Sequence, residues 1–239
     1  MDTLHLPAPK PCMIAHRGCS GLEMENTCSA FVAAGNRSYF GIETDVHITS
    51  DRRFIIIHDD TTGRVAEKDL PVEGSDFETL RSLPLRDRDG LPGRRDLMLP
   101  SLAEYIGICR KYEKNSVLEL KNHMEPTDID RIIQLIRSME WLEHTIFISF
   151  DLPNVQYVRR CLPDQQVQFL VETDIPDLLT ILKDNDLDLD MDVRLTTPEL
   201  VRGVHAIGHK INVWTVNTLE EAEKLTAWGV DYITSNIVE

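Results

Sequence analysis

MIAHRG (13–18), YFGIETDV (39–46) and FIIIHDD (54–60) are three short, largely apolar runs, and each carries charged or titratable residues at or near its end. Short runs that are rich in β-branched and aromatic residues indicate strands. Further along the chain, such runs alternate with helix-length segments almost to the end. This alternation predicts repeated βα units around a parallel sheet.

The pattern predicts nine strands, one more than an eight-stranded barrel needs. They lie near 12–16, 39–46, 54–58, 116–120, 145–149, 166–170, 187–191, 210–214 and 230–233. Helices are predicted at about 26–35, 101–113, 127–139, 153–161, 175–184, 197–207 and 218–227. Only TSDRR (49–53) separates the third run from the second, and a parallel crossover needs about a dozen residues or more. We therefore assign 54–58 to a hairpin on the second unit and predict an α/β fold, a TIM (β/α)8 barrel.

The stretch 59–100 lacks strong helical periodicity, contains several glycines and is too long for an ordinary βα loop. We predict that it forms a small inserted subdomain after the second strand, within a single domain that spans 1–239. Active sites of TIM barrels lie at the carboxyl ends of the strands. The inserted segment is therefore expected to lie on the catalytic face.

Composition and charge limit the possible functions. The 25 basic and 40 acidic side chains give a net charge of −15, which repels nucleic acid. The five cysteines lack the spacing of a zinc site and fit a reducing compartment, so a cytoplasmic location is expected. No segment approaches the roughly 18 apolar residues of a membrane span, and neither a signal peptide nor a stable membrane anchor is expected.

Carboxylates lie near the ends of two predicted strands. Glu43 and Asp45 are two residues apart, so both side chains lie on the same face of their strand. Glu119 and Lys121 share a face of the strand in VLELKN (117–122) in the same way. We expect these four side chains to converge at the mouth of the barrel. Their carboxylate oxygens suit a hard cation, Mg²⁺ or Ca²⁺, and the sequence does not distinguish between the two.

His16 and His58 each follow an apolar run, and the next residue is charged, Arg17 or Asp59. One histidine can accept a proton from the attacking water while the other protonates the leaving alcohol, and the sequence leaves their assignment open. The planar guanidinium of Arg17 suits phosphate oxygens. Because no G-x-S-x-G, P-loop or G-x-G-x-x-G motif is present, the residues favour metal-assisted cleavage of a phosphate ester over other chemistries.

A set of motifs in a fixed order extends from His16 to Asn236. The motifs are HRGCSGLEMENT (16–27), GIETDV (41–46), IIIHDDT (55–61), LELK (118–121), WTVN (214–217) and GVDYIT (229–234). Together they resemble the glycerophosphodiester phosphodiesterases, although each motif alone is weak. The resemblance implies a TIM barrel with a subdomain inserted after the second strand.

The resemblance also implies roles for individual residues. It implies a divalent metal ion held by Glu43, Asp45 and Glu119. It implies acid/base roles for His16 and His58, phosphate contacts from Arg17 and Lys121, supporting roles for Glu25 and Asn26, and a position beside the substrate for Trp214. Packing at the end of the barrel is the alternative role for Trp214.

The chain departs from the family pattern at two places. Met24 replaces a proline, which removes a rigid restraint on the turn but no chemical group. The last motif is followed only by a few residues, ending ITSNIVE (233–239), so the eighth helix is expected to be short or missing. The N-terminal tail or a second subunit of a homo-oligomer would then cover that side of the barrel.

The expected function is metal-dependent hydrolysis of small-molecule glycerophosphodiesters to sn-glycerol 3-phosphate and an alcohol. One alternative is a phosphodiesterase of the lysophospholipase D type on the same scaffold. Another is a ligand-binding barrel without catalysis, since a fold does not by itself secure a function. The sequence does not identify the preferred head group.

Overall fold

Strand pairing in the computed structural model, which describes residues 2–239, follows the βα pattern of the sequence. The strands are β1 Cys12–Ala15, β2 Gly41–Ile48, β3 Phe54–Ile56, β4 Asn115–Leu120, β5 Thr145–Ser149, β6 Val167–Val171, β7 Asp188–Asp192, β8 Ile211–Trp214 and β9 Tyr232–Ser235. All except β3 pair in parallel, in the order β1-β9-β8-β7-β6-β5-β4-β2, and β2 pairs with β1 to close the ring. The TIM-barrel prediction is confirmed.

The helices surround this barrel. They are α1 Cys28–Gly35, α2 Phe77–Arg81, α3 Leu102–Lys111, α4 Pro126–Ser138, α5 Leu152–Cys161, α6 Leu178–Asn185, α7 Pro198–Ala206 and α8 Leu219–Trp228. Two short 3₁₀ helices are Leu142–His144 and Val193–Leu195. Among residues 2–239, no helix has both the length and the apolar character needed to cross a membrane.

The hairpin prediction for the third run is also confirmed, because β3 runs antiparallel to β2. This pairing extends β2 to Ile48, two residues beyond its predicted end. Helix α1 begins at Cys28 rather than near 26 because Asn26 has a left-handed backbone (φ 53°) and Thr27 is the N-cap. The Thr27 side chain accepts a hydrogen bond from the amide of Ala30, which fixes the start of the helix.

Side chains alternate between the two faces of the barrel strands. Those that face outward form the main hydrophobic core with the helices, and Leu118, Phe147, Leu189 and Val213 are examples. A smaller apolar group fills part of the barrel interior and consists of Ile14, Val117, Ile146, Ile148, Leu170 and Tyr232. Charged and polar side chains occupy much of the remaining interior, and they form the site described below.

Residues 57–100 lie between β3 and α3 and include the short helix α2. Apolar side chains of this segment form a cluster of their own with the end of β3: Ile55, Ile57, Val65, Ala66, Val72, Phe77, Leu80, Leu83, Leu85, Leu97 and Leu99. Met24, which replaces the family proline, is buried in the same cluster. Helix α2 was not predicted because its five residues are too few to show a helical period.

No helix follows β9 in the described chain, as the sequence predicted. The N-terminal tail pairs there instead. The amide of Leu4 donates to the carbonyl of Ile237 at 3.0 Å, and the amide of Glu239 donates to the carbonyl of Leu4 at 2.8 Å. Leu6 and Val238 are buried in the main core. The tail, one of the two predicted alternatives, therefore covers this side of the barrel.

Candidate active site

A cavity of about 480 Å³ opens at the carboxyl ends of the barrel strands. Its lining consists of His16, Arg17, Glu43, His58, Glu119, Lys121, Ile148, Phe150, Leu170, Glu172, Asp190, Trp214 and Thr234. Seven of the ten residues that the sequence predicted for the site line this cavity. An eighth, Asp45, contacts the lining residue Lys121. Glu25 and Asn26 lie just behind this wall, where they hold Arg17 and Asp45.

The strand period brings the three carboxylates together. Glu43 and Asp45 face the barrel interior from β2, and Glu119 does so from β4. Asp45 and Glu119 are paired residues of neighbouring strands. One ligand oxygen of each of the three carboxylates lies within 4.8 Å of those of the other two. All three side chains are buried, with Asp45 only 1 % exposed.

Burial and mutual repulsion strongly perturb these groups. Burial and the charge of Asp45 raise the pKa of Glu43 well above its usual range. The same two causes raise the pKa of Glu119 to about 8. Burial would also raise the pKa of Asp45, but the charges of Arg17 and Lys121 outweigh it and lower that pKa below its usual range. Arg17 and Lys121 therefore do not offset three ionised carboxylates, and Glu43 and Glu119 hold a proton more tightly than usual.

This donor set fits a divalent cation. Three carboxylates that converge in a buried site are typical oxygen ligands for Mg²⁺ or Ca²⁺. The Oδ1 atom of Asp45 is buried and has no hydrogen-bond partner among the described residues. A buried acceptor without a partner costs about 1–3 kcal/mol, and a cation bound between the carboxylates would remove that cost.

Two cations border the carboxylates. The Lys121 Nζ lies 2.8 Å from Glu119 Oε1 and 3.8 Å from Asp45 Oδ1. Arg17 donates from its backbone amide to Glu43 Oε2 at 2.7 Å and from Nη1 to Glu25 Oε1 at 2.8 Å. Its Nε has no hydrogen-bond partner in the described chain. The Nε lies 3.7 Å from Asp45 Oδ2, and the Arg17 side chain also lines the cavity, where its guanidinium can meet an anion.

The turn after β1 is shaped to hold these groups. Arg17 has a left-handed backbone (φ 53°), and Gly18 follows at φ 77°, where a Cβ would lie 2.7 Å from the backbone of Ala30. Asn26 is buried, donates from Nδ2 to Asp45 Oδ2 at 2.7 Å and accepts from the Thr44 hydroxyl at 2.7 Å. Its amide therefore fixes the orientation of the Asp45 carboxylate.

His16 follows β1 and is partly buried at the cavity wall. Its Nδ1 lies 2.7 Å from Asn236 Oδ1, and because this oxygen only accepts, Nδ1 carries the proton. The Nε2 atom is then the free acceptor. Burial and the charge of Arg17 lower the pKa of His16 to about 4, so the ring is neutral near pH 7.

His58 faces the same cavity from the segment after β3 and has a different partner. Its Nδ1 lies 2.6 Å from Asp59 Oδ1. Arg64 donates to Asp59 from Nε at 2.6 Å and to both Glu25 oxygens at 2.8 and 2.9 Å. Burial lowers the pKa of His58, although the charge of Asp45 opposes this effect. A chain of hydrogen bonds therefore connects His58 to Glu25.

Trp214 lines the mouth of the cavity, where it packs edge-on against Phe150 with ring centroids 5.8 Å apart. Its Nε1 has no hydrogen-bond partner in the described chain. Trp214 therefore packs at the end of the barrel and also borders the cavity, and its position beside the substrate stays a prediction.

Sequence reasoning did not find Asn236, Arg64, Phe150 and Asp190 as members or supports of the site. Asn236 is 220 positions from His16, and Arg64 is 39 positions from Glu25. No local pattern signals such pairs. Asp59 was available as a signal, because a carboxylate next to a histidine is a common way to orient the ring.

The model of the glycerophosphoryl diester phosphodiesterase family matches residues 16–239. A glycerophosphodiester phosphodiesterase of Caldanaerobacter subterraneus subsp. tengcongensis is 28% identical over 229 residues, which cover 94% of this chain and 93% of that protein. One from Bacillus altitudinis is 25% identical over 231 residues, which cover 92% of each chain.

Solved structures show the same fold. A phosphodiesterase of Oleispira antarctica, solved in complex with the product sn-glycerol-3-phosphate, has a TM-score of 0.85 at 24% identity and covers 97% of this chain and 95% of its own. A glycerophosphodiester phosphodiesterase of Thermotoga maritima has a TM-score of 0.77 at 21% identity, with 96% of each chain covered. Since the family match extends from His16 to the last residue, this chain belongs to the glycerophosphoryl diester phosphodiesterase family and is a phosphodiesterase.

Proposed function

We propose that this enzyme hydrolyses glycerophosphodiesters to sn-glycerol 3-phosphate and an alcohol, with one divalent metal ion and two histidines. The observation that carries the proposal is the meeting of three buried carboxylates, within 4.8 Å of one another, beside two histidines at one cavity. The family of the chain and the product bound in the Oleispira antarctica structure support the choice of substrate.

Glu43, Asp45 and Glu119 would hold the metal ion. Such an ion polarises a phosphoryl oxygen and offsets the charge that develops at phosphorus. Whether the ion is Mg²⁺ or Ca²⁺ depends on the number of ligands and the rigidity of the site, and the carboxylates accept either. Asn26 keeps Asp45 in place through its 2.7 Å hydrogen bond.

Arg17 and Lys121 would bind the phosphate group. The guanidinium of Arg17 and the ammonium of Lys121 both lie beside the carboxylates and line the cavity. A guanidinium offers planar, directional donors, and the ammonium adds a point charge. Glu25 accepts from both Arg17 and Arg64, and it would thereby hold Arg17 in position.

The two histidines would transfer the protons in opposite directions. His16 is neutral near pH 7 with a free Nε2, which suits the general base that accepts a proton from the attacking water. His58 is paired with the Asp59 carboxylate, which stabilises an imidazolium and suits the general acid that protonates the leaving alcohol.

An assay with two substrates tests the proposal. Glycerophosphocholine and lysophosphatidylcholine are incubated with the enzyme and Mg²⁺ or Ca²⁺, and sn-glycerol 3-phosphate and choline are measured separately. We expect both products from glycerophosphocholine, and their loss in Glu119→Gln. Preferential release of choline from lysophosphatidylcholine would favour the lysophospholipase D alternative. Binding of glycerophosphocholine without turnover would favour the non-catalytic barrel.

A cytoplasmic location and assembly into a homo-oligomer remain predictions. All five cysteines are free thiols, as a reducing compartment requires. The acidic net charge of −15 continues to disfavour nucleic acid as a partner.

A further inference from the structure

The barrel interior is polar on the side away from the carboxylates. Strand β7 is four strands from β2 in either direction around the closed ring of eight, so it lies across the barrel from Glu43 and Asp45. Its interior residue Asp190 is 1 % exposed and lines the cavity. On β8 and β9, Asn212 and Thr234 hydrogen bond each other at 3.0 and 3.2 Å. Asn212 is also the cross-strand neighbour of Asp190, and its side chain interacts with the Asp190 carboxyl group.

Asp190 is a buried carboxyl group with one oxygen that lacks a partner. Its Oδ1 has no hydrogen-bond partner among the described residues. No described Lys, Arg or His side chain forms an ion pair with Asp190, whereas its strand neighbours Asp188 and Asp192 each have such a partner. Burial raises the pKa of Asp190 to about 8, although the interaction with the Asn212 side chain opposes this effect. The group is therefore largely protonated near pH 7 and both donates and accepts a hydrogen bond. A hydroxyl group has the matching donor and acceptor.

Asp190 lies deeper in the cavity than the aromatic residues. In the strand register Asp190 pairs with Asn212, whereas Trp214 pairs with Asp192, which is two residues closer to the carboxyl end. Phe150 and Glu172 are exposed at the mouth. The floor around Asp190 therefore suits a small, uncharged polar group, while the open mouth suits a group that varies in size and charge.

We infer that Asp190 binds a hydroxyl of the glycerol moiety and that the variable head group lies toward the mouth of the cavity. This inference rests on the proposed function, because it names the part of the glycerophosphodiester that the floor recognises. Glycerol is common to all these substrates, whereas the alcohol differs from one to another. A buried polar group left without a partner costs about 1–3 kcal/mol, so the bound hydroxyl replaces a partner that the protein does not supply.

The test compares two phosphate monoesters by isothermal titration calorimetry in the presence of Mg²⁺. sn-Glycerol 3-phosphate carries the hydroxyls, and methyl phosphate lacks them. We expect the wild-type enzyme to prefer sn-glycerol 3-phosphate and Asp190→Leu to reduce that preference by about tenfold, the value of one hydrogen bond. Asp190→Asn should retain it within about threefold, because an amide also donates and accepts.

Gln168 provides the matched control. It is a fully buried polar residue on the interior face of the neighbouring strand β6, its amide atoms lack hydrogen-bond partners in the described chain, and it does not line the cavity. Gln168→Met should leave the preference unchanged. An unchanged preference in Asp190→Leu would overturn the inference, and so would an equal loss in Asp190→Asn.

Kinetics separate this inference from the proposed reaction. In Asp190→Leu we expect KM for glycerophosphocholine to rise by a larger factor than KM for bis(4-nitrophenyl) phosphate, which has no glycerol. Equal losses with both substrates would contradict a role in glycerol recognition. If the wild-type enzyme hydrolyses no glycerophosphodiester but shows the binding preference described above, the proposed reaction fails while the assignment of Asp190 stands.

Discussion

At the scale of single residues, the two histidines differ in their partners more than in their positions. The amide of Asn236 holds His16, whereas a carboxylate, Asp59, holds His58. Burial and the charge of Arg17 favour the neutral ring of His16, whereas the Asp59 carboxylate favours the charged ring of His58. This difference supports the proposed division into a base and an acid, which the sequence alone left open.

Removal of either histidine should strongly reduce turnover. We expect His16→Ala and His58→Ala each to lower kcat by about a hundredfold to ten-thousandfold, because each removes one proton transfer. Initial rates with glycerophosphocholine measure the effect. His205→Ala is the control, since His205 pairs with Asp231 at the surface and does not line the cavity. If the variant of His16 or of His58 turned over at the wild-type rate, that histidine would have no part in the mechanism.

Asp190 should make stability depend on pH. An unfolded aspartate has a pKa of about 3.9, and in the folded enzyme that of Asp190 is about 8, so the folded state binds a proton more tightly. Its contribution to stability is therefore fully present below about pH 4 and is lost as pH rises to about 8. Urea unfolding from pH 5 to 9 measures this effect. As pH rises, the free energy of unfolding of Asp190→Asn should increase relative to that of the wild type by about a few kcal/mol. A constant difference across this range would contradict the buried, protonated state.

At the scale of elements, the sequence predicted every barrel strand and seven of the eight helices, because their apolar periods extend over enough residues to be recognised. Helix α2 and the start of α1 were not predicted correctly. The first has only five residues, and the second depends on the left-handed backbone of Asn26. Both depend on tertiary contacts: Asn26 bonds to β2, and α2 packs in the cluster of residues 57–100.

Arg64 connects that segment to the site and could not be predicted from local sequence. Because it bonds to both Asp59 and Glu25, Arg64→Gln should disturb the positions of His58 and Arg17. We expect kcat/KM to fall by roughly tenfold or more, the range typical of residues that orient acting groups. Steady-state assays check this, with Arg95→Gln as a control in the same segment, where the side chain is exposed and forms no hydrogen bond or ion pair within the described chain. Equal effects of both changes would indicate a general loss of structure.

At the scale of the whole molecule, barrel closure assembles the site. β1 pairs with both β2 and β9, so His16 meets Asn236 from the other end of the chain, while β4 places Glu119 beside Asp45. The sequence predicted the convergence of the carboxylates from the two-residue period of the strands and the barrel rule. It did not predict the floor of the cavity, because Asp190 on β7 belongs to no motif and only closure of the barrel brings it to the cavity.

The central claim is that Glu43, Asp45 and Glu119 form one divalent-metal site, and isothermal titration calorimetry tests it most directly. Mg²⁺ and Ca²⁺ are titrated separately into chelator-treated enzyme and into Glu119→Gln, with Glu172→Gln as an acidic control at the mouth of the same cavity. We predict one ion bound per chain, an affinity at least about tenfold weaker in Glu119→Gln, and little change in the control. Equal affinities in the wild type and Glu119→Gln, or no binding of either ion to the wild type, would contradict the account.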